Sequence, residues 1–188
     1  MARVKTFDVD EALGAAIGVF REHGYEGTSA QMLVDAMGIG RQSLYDTFGD
    51  KWQLYQAALK RYETDENRAH LAALASGPRA IDGLHAMIRR VIEHASAPCL
   101  GVGSVVEFGC SRPELMQIHA SADRALRGPL KNRIREAQTD GDIAADLAPD
   151  VLAGYLLSNI AGLRIAARGG AKPAQLQALA QVIFRALA

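Results

Sequence analysis

Residues 28–48 read "TSAQMLVDAMGIGRQSLYDTF", and this stretch constrains the chain more than any other. Two short amphipathic helix patterns flank a glycine-punctuated turn, Gly38-Ile39-Gly40. Thr28 with Gln31 three residues later makes a capping signal for the first pattern. Ala30, Leu33, Val34 and Met37 form its apolar stripe, and Gly38 closes it. Gly40 caps the second pattern, whose Leu44 and Phe48 recur at i, i+4 and point inward. A second helix this short, loaded with polar side chains and anchored by two apolar ones, is built to present its outer face.

The rest of the chain is helical by the same reading. Asp8 with Glu11 caps a first helix that carries Leu13, Ala16, Ile17 and Phe20 and stops at Gly24. Asp50 with Gln53 caps a fourth helix running through Leu54, Ala58 and Tyr62 towards Leu74. "SGPR" at 76–79 breaks the chain. Beyond it, helices are expected over about 80–96, 101–109, 114–138, 149–168 and 173–187, with a bend near Pro129, where a ladder bond is lost. No strand pattern survives more than a few residues, so the fold class is all-α with about nine helices.

Composition narrows the partners. With 21 basic and 21 acidic residues among 188, the chain carries no global charge that points to nucleic acid, so any basic footprint is local. Cys99 and Cys110 are too few for a disulfide framework. The N-terminus lacks the apolar core of a signal peptide. The most apolar run, 151–167, is interrupted by Ser158, Asn159 and Arg164 and is short for a membrane span. The expectation is a cytoplasmic protein with no membrane partner.

A short helix, a glycine turn and a second short helix are the elements of a helix-turn-helix, whose second helix enters the DNA major groove. Arg41 can bind guanine through both arms of its fork, and Gln42 can pair with adenine N6 and N7. Ser43, Tyr45 and Thr47 offer hydroxyls to phosphates. Thr28 and Gln31 at the start of the second helix, and Lys51 in the first turn of the fourth, complete the DNA-binding candidates. Arg3 and Lys5 can form an arm along the backbone. Asp46 argues against this reading, because its carboxylate would face phosphates; it either accepts from a cytosine N4 or weakens non-specific affinity.

The order of residues over 16–59 resembles the N-terminal domain of the TetR family of bacterial transcriptional regulators. The resemblance rests on Phe20, Gly24-Tyr25, Thr28, Gly38-Ile39, Leu44-Tyr45, Phe48, Lys51 and Leu54. Gly40, in place of a serine-like cap, and Trp52 are mild departures. The resemblance implies a homodimer that binds double-stranded operator DNA. It implies a DNA-binding domain over 1–50 and a ligand-binding and dimerisation domain over 51–188. It further implies a fourth helix that links the two, a small-molecule effector of unknown identity, and pairing through the last two helices. Some members of one branch carry a cysteine before the short sixth helix, and a few use it to sense electrophiles or oxidants.

On those last helices, Leu152, Leu156, Ile160 and Leu163, and Leu176, Leu179, Ile183 and Leu187, recur at helical spacing and are the dimer candidates. Tyr62, His94, Cys99, Glu107, His119 and Asn159 are the candidates for an effector pocket. Each has two readings. Cys99 is a sensor thiol or a small buried apolar residue. Glu107, in the apolar run "GSVVEFG", orients a ligand or pairs with an arginine. His85 and His94 lack the i, i+4 spacing of a helical metal pair, so no metal or other cofactor is expected. Cys99, His94 and Glu107 form no fixed nucleophile set, so an enzyme is not expected. A plain helical interaction protein is the remaining class, and operator binding separates it from a regulator.

Overall fold

The computed structural model describes residues 7–187, so the expected arm at Arg3 and Lys5 lies outside the described residues. The described residues form nine helices and no strand: α1 Val9–His23, α2 Ala30–Met37, α3 Arg41–Phe48, α4 Lys51–Leu74, α5 Ala80–Glu93, α6 Leu100–Phe108, α7 Pro113–Thr139, α8 Pro149–Arg168 and α9 Pro173–Arg185. Asp8 caps α1 by accepting from the backbone N–H of Asp10 and Glu11. Asp50 accepts from Gln53 N–H at 2.8 Å at the start of α4. The capping signal of α2 is shifted by one residue from expectation. Ser29, not Thr28, is the cap, and its hydroxyl accepts from Met32 N–H at 3.1 Å. Helix α5 ends at Glu93 rather than near 96. Helix α7 continues through Pro129, where the missing N–H leaves one carbonyl of the preceding turn without its helical partner.

The helices form two compact units. One takes the described residues up to Thr64 together with Cys99–His119; the other takes Asp65–Pro98 and the described residues from Ala120 onward. The division falls within α4 and α7, so packing does not divide at residue 50, where roles were expected to change. In the first unit Phe20, Leu33, Leu44, Leu54, Tyr55 and Leu59 are all within 1% of complete burial. Removing a side chain of that kind typically costs about 2–5 kcal/mol.

The core of the second unit joins α5, α8 and α9 with the far ends of α4 and α7. Leu152, Leu156, Ile160, Leu163, Leu176, Ile183 and Leu187 belong to this core and are buried within a single chain. That corrects the dimer assignment: helical spacing identified an apolar stripe, but the stripe faces the chain's own interior. Of the eight candidates only Leu179 points outward, at 46% exposure. The outward apolar residues of α8 and α9 are Val151, Ile165, Leu179 and Val182.

A charged cluster also sits inside this unit. Glu66 takes a two-armed pair from Arg90, at 2.9 and 3.3 Å, and a bond from Arg164 at 2.6 Å. Burial alone would raise the Glu66 carboxyl, but the Arg90 hydrogen bonds and the charges of Arg164 and Arg90 outweigh it, and the net direction is down. His70 lies 3.9 Å from the same carboxylate and is buried. Burial, with the charges of Arg90 and Arg164, lowers its imidazole to about 4. Its Nδ1 has no hydrogen-bond partner.

Candidate DNA-binding interface

Helix α2 ends at Gly38, whose φ of +63° is a left-handed conformation that costs glycine little. Ile39 in the turn is buried, as is Leu44 one turn into α3. Phe48 is half-buried against the same core. These three residues fasten α3 from behind, and burying a leucine of this kind contributes about 1.5–3 kcal/mol. The opposite face of α3 presents Gln42, Tyr45 and Asp46, all exposed, with Ser43 and Thr47 half-exposed; Arg41 is exposed as the first residue of the helix. Gly40 caps α3 with no side-chain bond, which leaves the first backbone N–H groups of the helix open to an anion.

Not every expected contact residue is displayed. The structure withdraws the Thr28 hydroxyl. It is 2% exposed, and its Oγ1 donates to the Gly24 carbonyl at 2.6 Å. The exposed hydroxyl at the start of α2 is that of Ser29. Gln31 is exposed and donates to Asp35 at 2.7 Å, one turn along α2. Gln42 donates to Asp46 at 2.8 Å in the same i, i+4 geometry on α3. Lys51 rests its ammonium 4.2 Å from the centre of the Tyr25 ring, a cation–π contact.

Tyr25 belongs to the turn between α1 and α2 and meets Trp52, Tyr55 and Phe108 at ring-centre distances of 5.2–5.7 Å. Burial, then the neighbouring Glu26 and Asp50 carboxylates, raise its hydroxyl, so it stays a neutral donor. The same turn is gripped by Glu107 from the end of α6. Its carboxylate accepts from Tyr25 N–H at 2.9 Å and Glu26 N–H at 2.7 Å. Glu107, which the sequence reads as orienting a ligand or pairing with an arginine, is hydrogen-bonded to the backbone of the turn that precedes α2.

The other pocket candidates fall in both units. In the first, Tyr62 is buried with the Arg21 guanidinium 5.4 Å from its ring, and Cys99 is half-buried at the start of α6 with no side-chain capping bond. His119 bridges Glu63 Oε1 at 3.2 Å and Ser104 Oγ at 3.1 Å. In the second, His94 is exposed at the end of α5 with Nδ1 2.9 Å from the Arg90 carbonyl, and Asn159 donates to the Tyr155 carbonyl at 2.8 Å. The polar residues that do converge inside the second unit, Glu66, His70, Arg90 and Arg164, were not among the candidates.

A short, polar-faced helix pinned from behind by Ile39, Leu44 and Phe48, and preceded by a glycine turn and a second short helix, defines a helix-turn-helix DNA-binding protein. Comparison with known proteins agrees. Residues 12–58 match the family described as bacterial regulatory proteins, tetR family. The HTH-type transcriptional regulator YezE of Bacillus subtilis is 36% identical, with 94% of each chain covered. The HTH-type transcriptional repressor ComR of Escherichia coli is 31% identical over 97% of this chain and 90% of its own. The fold is also similar to a cysteine-substituted form of the TetR family regulator CifR complexed with 26-base-pair operator DNA. That match has a TM-score of 0.80 at 30% identity and covers both chains fully. The chain belongs to the TetR family of DNA-binding transcriptional regulators, and its family and relatives are regulators rather than enzymes. Among the described residues, no helix is long and apolar enough to cross a membrane.

Proposed function

We propose that this protein is a homodimeric repressor that acts in the cytoplasm and leaves a palindromic operator when a small molecule binds within residues 51–188. The observation that carries the DNA-reading half is the exposed face of α3, with Arg41, Gln42 and Tyr45 displayed outside the buried Leu44. CifR, bound to operator DNA in the structure similar to this one, supports operator binding as the role of this fold. Two heads in a dimer must sit roughly 34–36 Å apart to fill successive major grooves. An effector that favours another spacing lowers operator affinity, and such coupling is typically about 1–3 kcal/mol and reciprocal. Helix α4 is the element that starts at the head and continues into the second unit, and is the proposed lever. Groups able to orient a polar effector are present inside each unit: Glu63, Ser104 and His119 in one, Glu66, His70, Arg90 and Arg164 in the other. The experiment is selection of fragments from the source genome by purified protein, followed by titration of the recovered site. Sequence-independent binding of all fragments would defeat the reading.

A second reading concerns Cys99. It is half-buried at the first turn of α6 and packs against the core of the first unit. In this reading its modification by an electrophile or oxidant, rather than reversible occupancy, alters α6 and releases DNA.

A further inference from the structure

We propose that Asp46 is a positioning residue for sequence readout, holding the Gln42 amide in the one orientation that matches adenine. The inference rests on the reading of α3 as the recognition helix. Gln42 and Asp46 are both exposed, and each lies roughly 200° around the helix from the buried Leu44. They therefore occupy the centre of the face turned away from the core. A glutamine amide on a free surface can flip and offer its oxygen and nitrogen in either order. An ionised carboxylate accepts and never donates, so only the NH2 side of Gln42 can face Asp46. The structure has that arrangement, with Nε2 donating to Asp46 Oδ1 at 2.8 Å. One N–H is engaged there. The other N–H and Oε1 remain, a donor beside an acceptor.

Adenine offers the complement in the major groove, a donor at N6 beside an acceptor at N7; guanine offers two acceptors. A fixed amide therefore selects adenine, where a flipping one selects less. The arrangement also accounts for an acidic side chain on a surface that meets phosphates. Asp46 lowers affinity for DNA of any sequence while it sharpens the reading of one base.

The test compares selection from random duplex DNA by wild type and by Gln42→Ala, Asp46→Ala and Asp46→Asn. The asparagine keeps the shape but removes the charge and can donate as well as accept, so it leaves the Gln42 amide free to flip. Wild type should select adenine at one position of each half-site, preferring it by about tenfold over guanine. Gln42→Ala, Asp46→Ala and Asp46→Asn should all lose that preference. Both Asp46 variants should bind non-operator DNA more tightly at low salt, and all should melt near wild type. Adenine preference that survives in Asp46→Ala or in Asp46→Asn overturns the positioning role while operator binding stands. A wild type that selects no sequence overturns the reading of α3 and this inference with it.

Discussion

Glu107 accepts a hydrogen bond from the backbone N–H of Tyr25 at 2.9 Å, across 82 positions of sequence. With the second bond to Glu26, one carboxylate from α6 holds the turn that sets α2 against α1. Gly24, next to this turn, has a φ of +68°, and a Cβ there would stand 2.9 Å from the Glu107 carboxylate. Glu107→Ala should therefore destabilise the first unit by about 1–3 kcal/mol, the cost of leaving charge-assisted bonds unmade. It should also reduce operator affinity, because α2 and α3 lose their fixed seat. Urea denaturation and operator titration measure the two effects. Unchanged values in both would mean the contact carries no weight.

Arg41 and Lys51 should fail differently. Arg41 is exposed at the first turn of α3, and Arg41→Ala should cost about 1–3 kcal/mol of operator binding and relax preference at one base pair. Lys51→Ala should weaken binding to all sequences and reduce the salt slope by about one unit. Because its ammonium lies over the Tyr25 ring, the same variant should lose up to about 1 kcal/mol of stability. Anisotropy titrations over a salt series distinguish a base contact from a phosphate contact.

The helix-turn-helix was legible in the sequence because its signals are local. Gly38, Gly40, Leu44 and Phe48 each act within one turn of where they stand. Glu107 was legible only as a carboxylate in an apolar run. Its partners are backbone N–H groups 81 and 82 residues away, which leave no side-chain signature. Thr28 and Ser29 are adjacent hydroxyls, and only the true start of α2 decides which one caps it. On α8 the stripe of Leu152, Leu156, Ile160 and Leu163 was visible. Val151 and Ile165 make the opposite face apolar as well, so periodicity alone could not say which face a partner covers. The Glu66, Arg90 and Arg164 cluster is assembled from α4, α5 and α8, and nothing in their spacing announces it.

The proposed dimer should separate two kinds of leucine. Leu179 and Val182 line a shallow groove with Ala166 and Ala178, whereas Leu156 is fully buried within the chain. Leu179→Glu or Val182→Glu should give folded monomers with lost operator affinity, since two half-sites require two heads. Leu156→Glu should unfold the second unit instead, because an unpaired charge would be buried. Sedimentation and melting curves together tell these apart. A folded dimer in both surface variants would move the interface elsewhere.

Cys99 discriminates between the two modes of induction. If thiol modification is the signal, an electrophile should release wild type from its operator, and Cys99→Ser should stay bound. Release by a mild oxidant should reverse with a thiol reductant. Cys110, which is exposed, should be modified in both proteins without consequence. Mass spectrometry showing Cys99 modified while the complex persists would leave the reversible effector as the operating mode.

Acid should weaken the second unit through His70. Its folded value of about 4 lies below the ordinary 6.5, because burial and the Arg90 and Arg164 charges oppose a further cation. The unfolded chain therefore takes up a proton first as pH falls. The native state should lose stability between about pH 6.5 and 4, by about 3 kcal/mol for this one group. Glu66 is lowered below 4.5 by Arg90 and Arg164 despite its burial. Its contribution, present above 4.5, is lost only at still lower pH, so the two groups act in successive windows. His70→Leu removes the titrating ring and the unpartnered Nδ1 together. Its stability should stay nearly flat from pH 6.5 to 4.5 and then fall with Glu66. Urea midpoints over that range measure the difference, and parallel curves for variant and wild type would show that His70 does not carry the acid sensitivity.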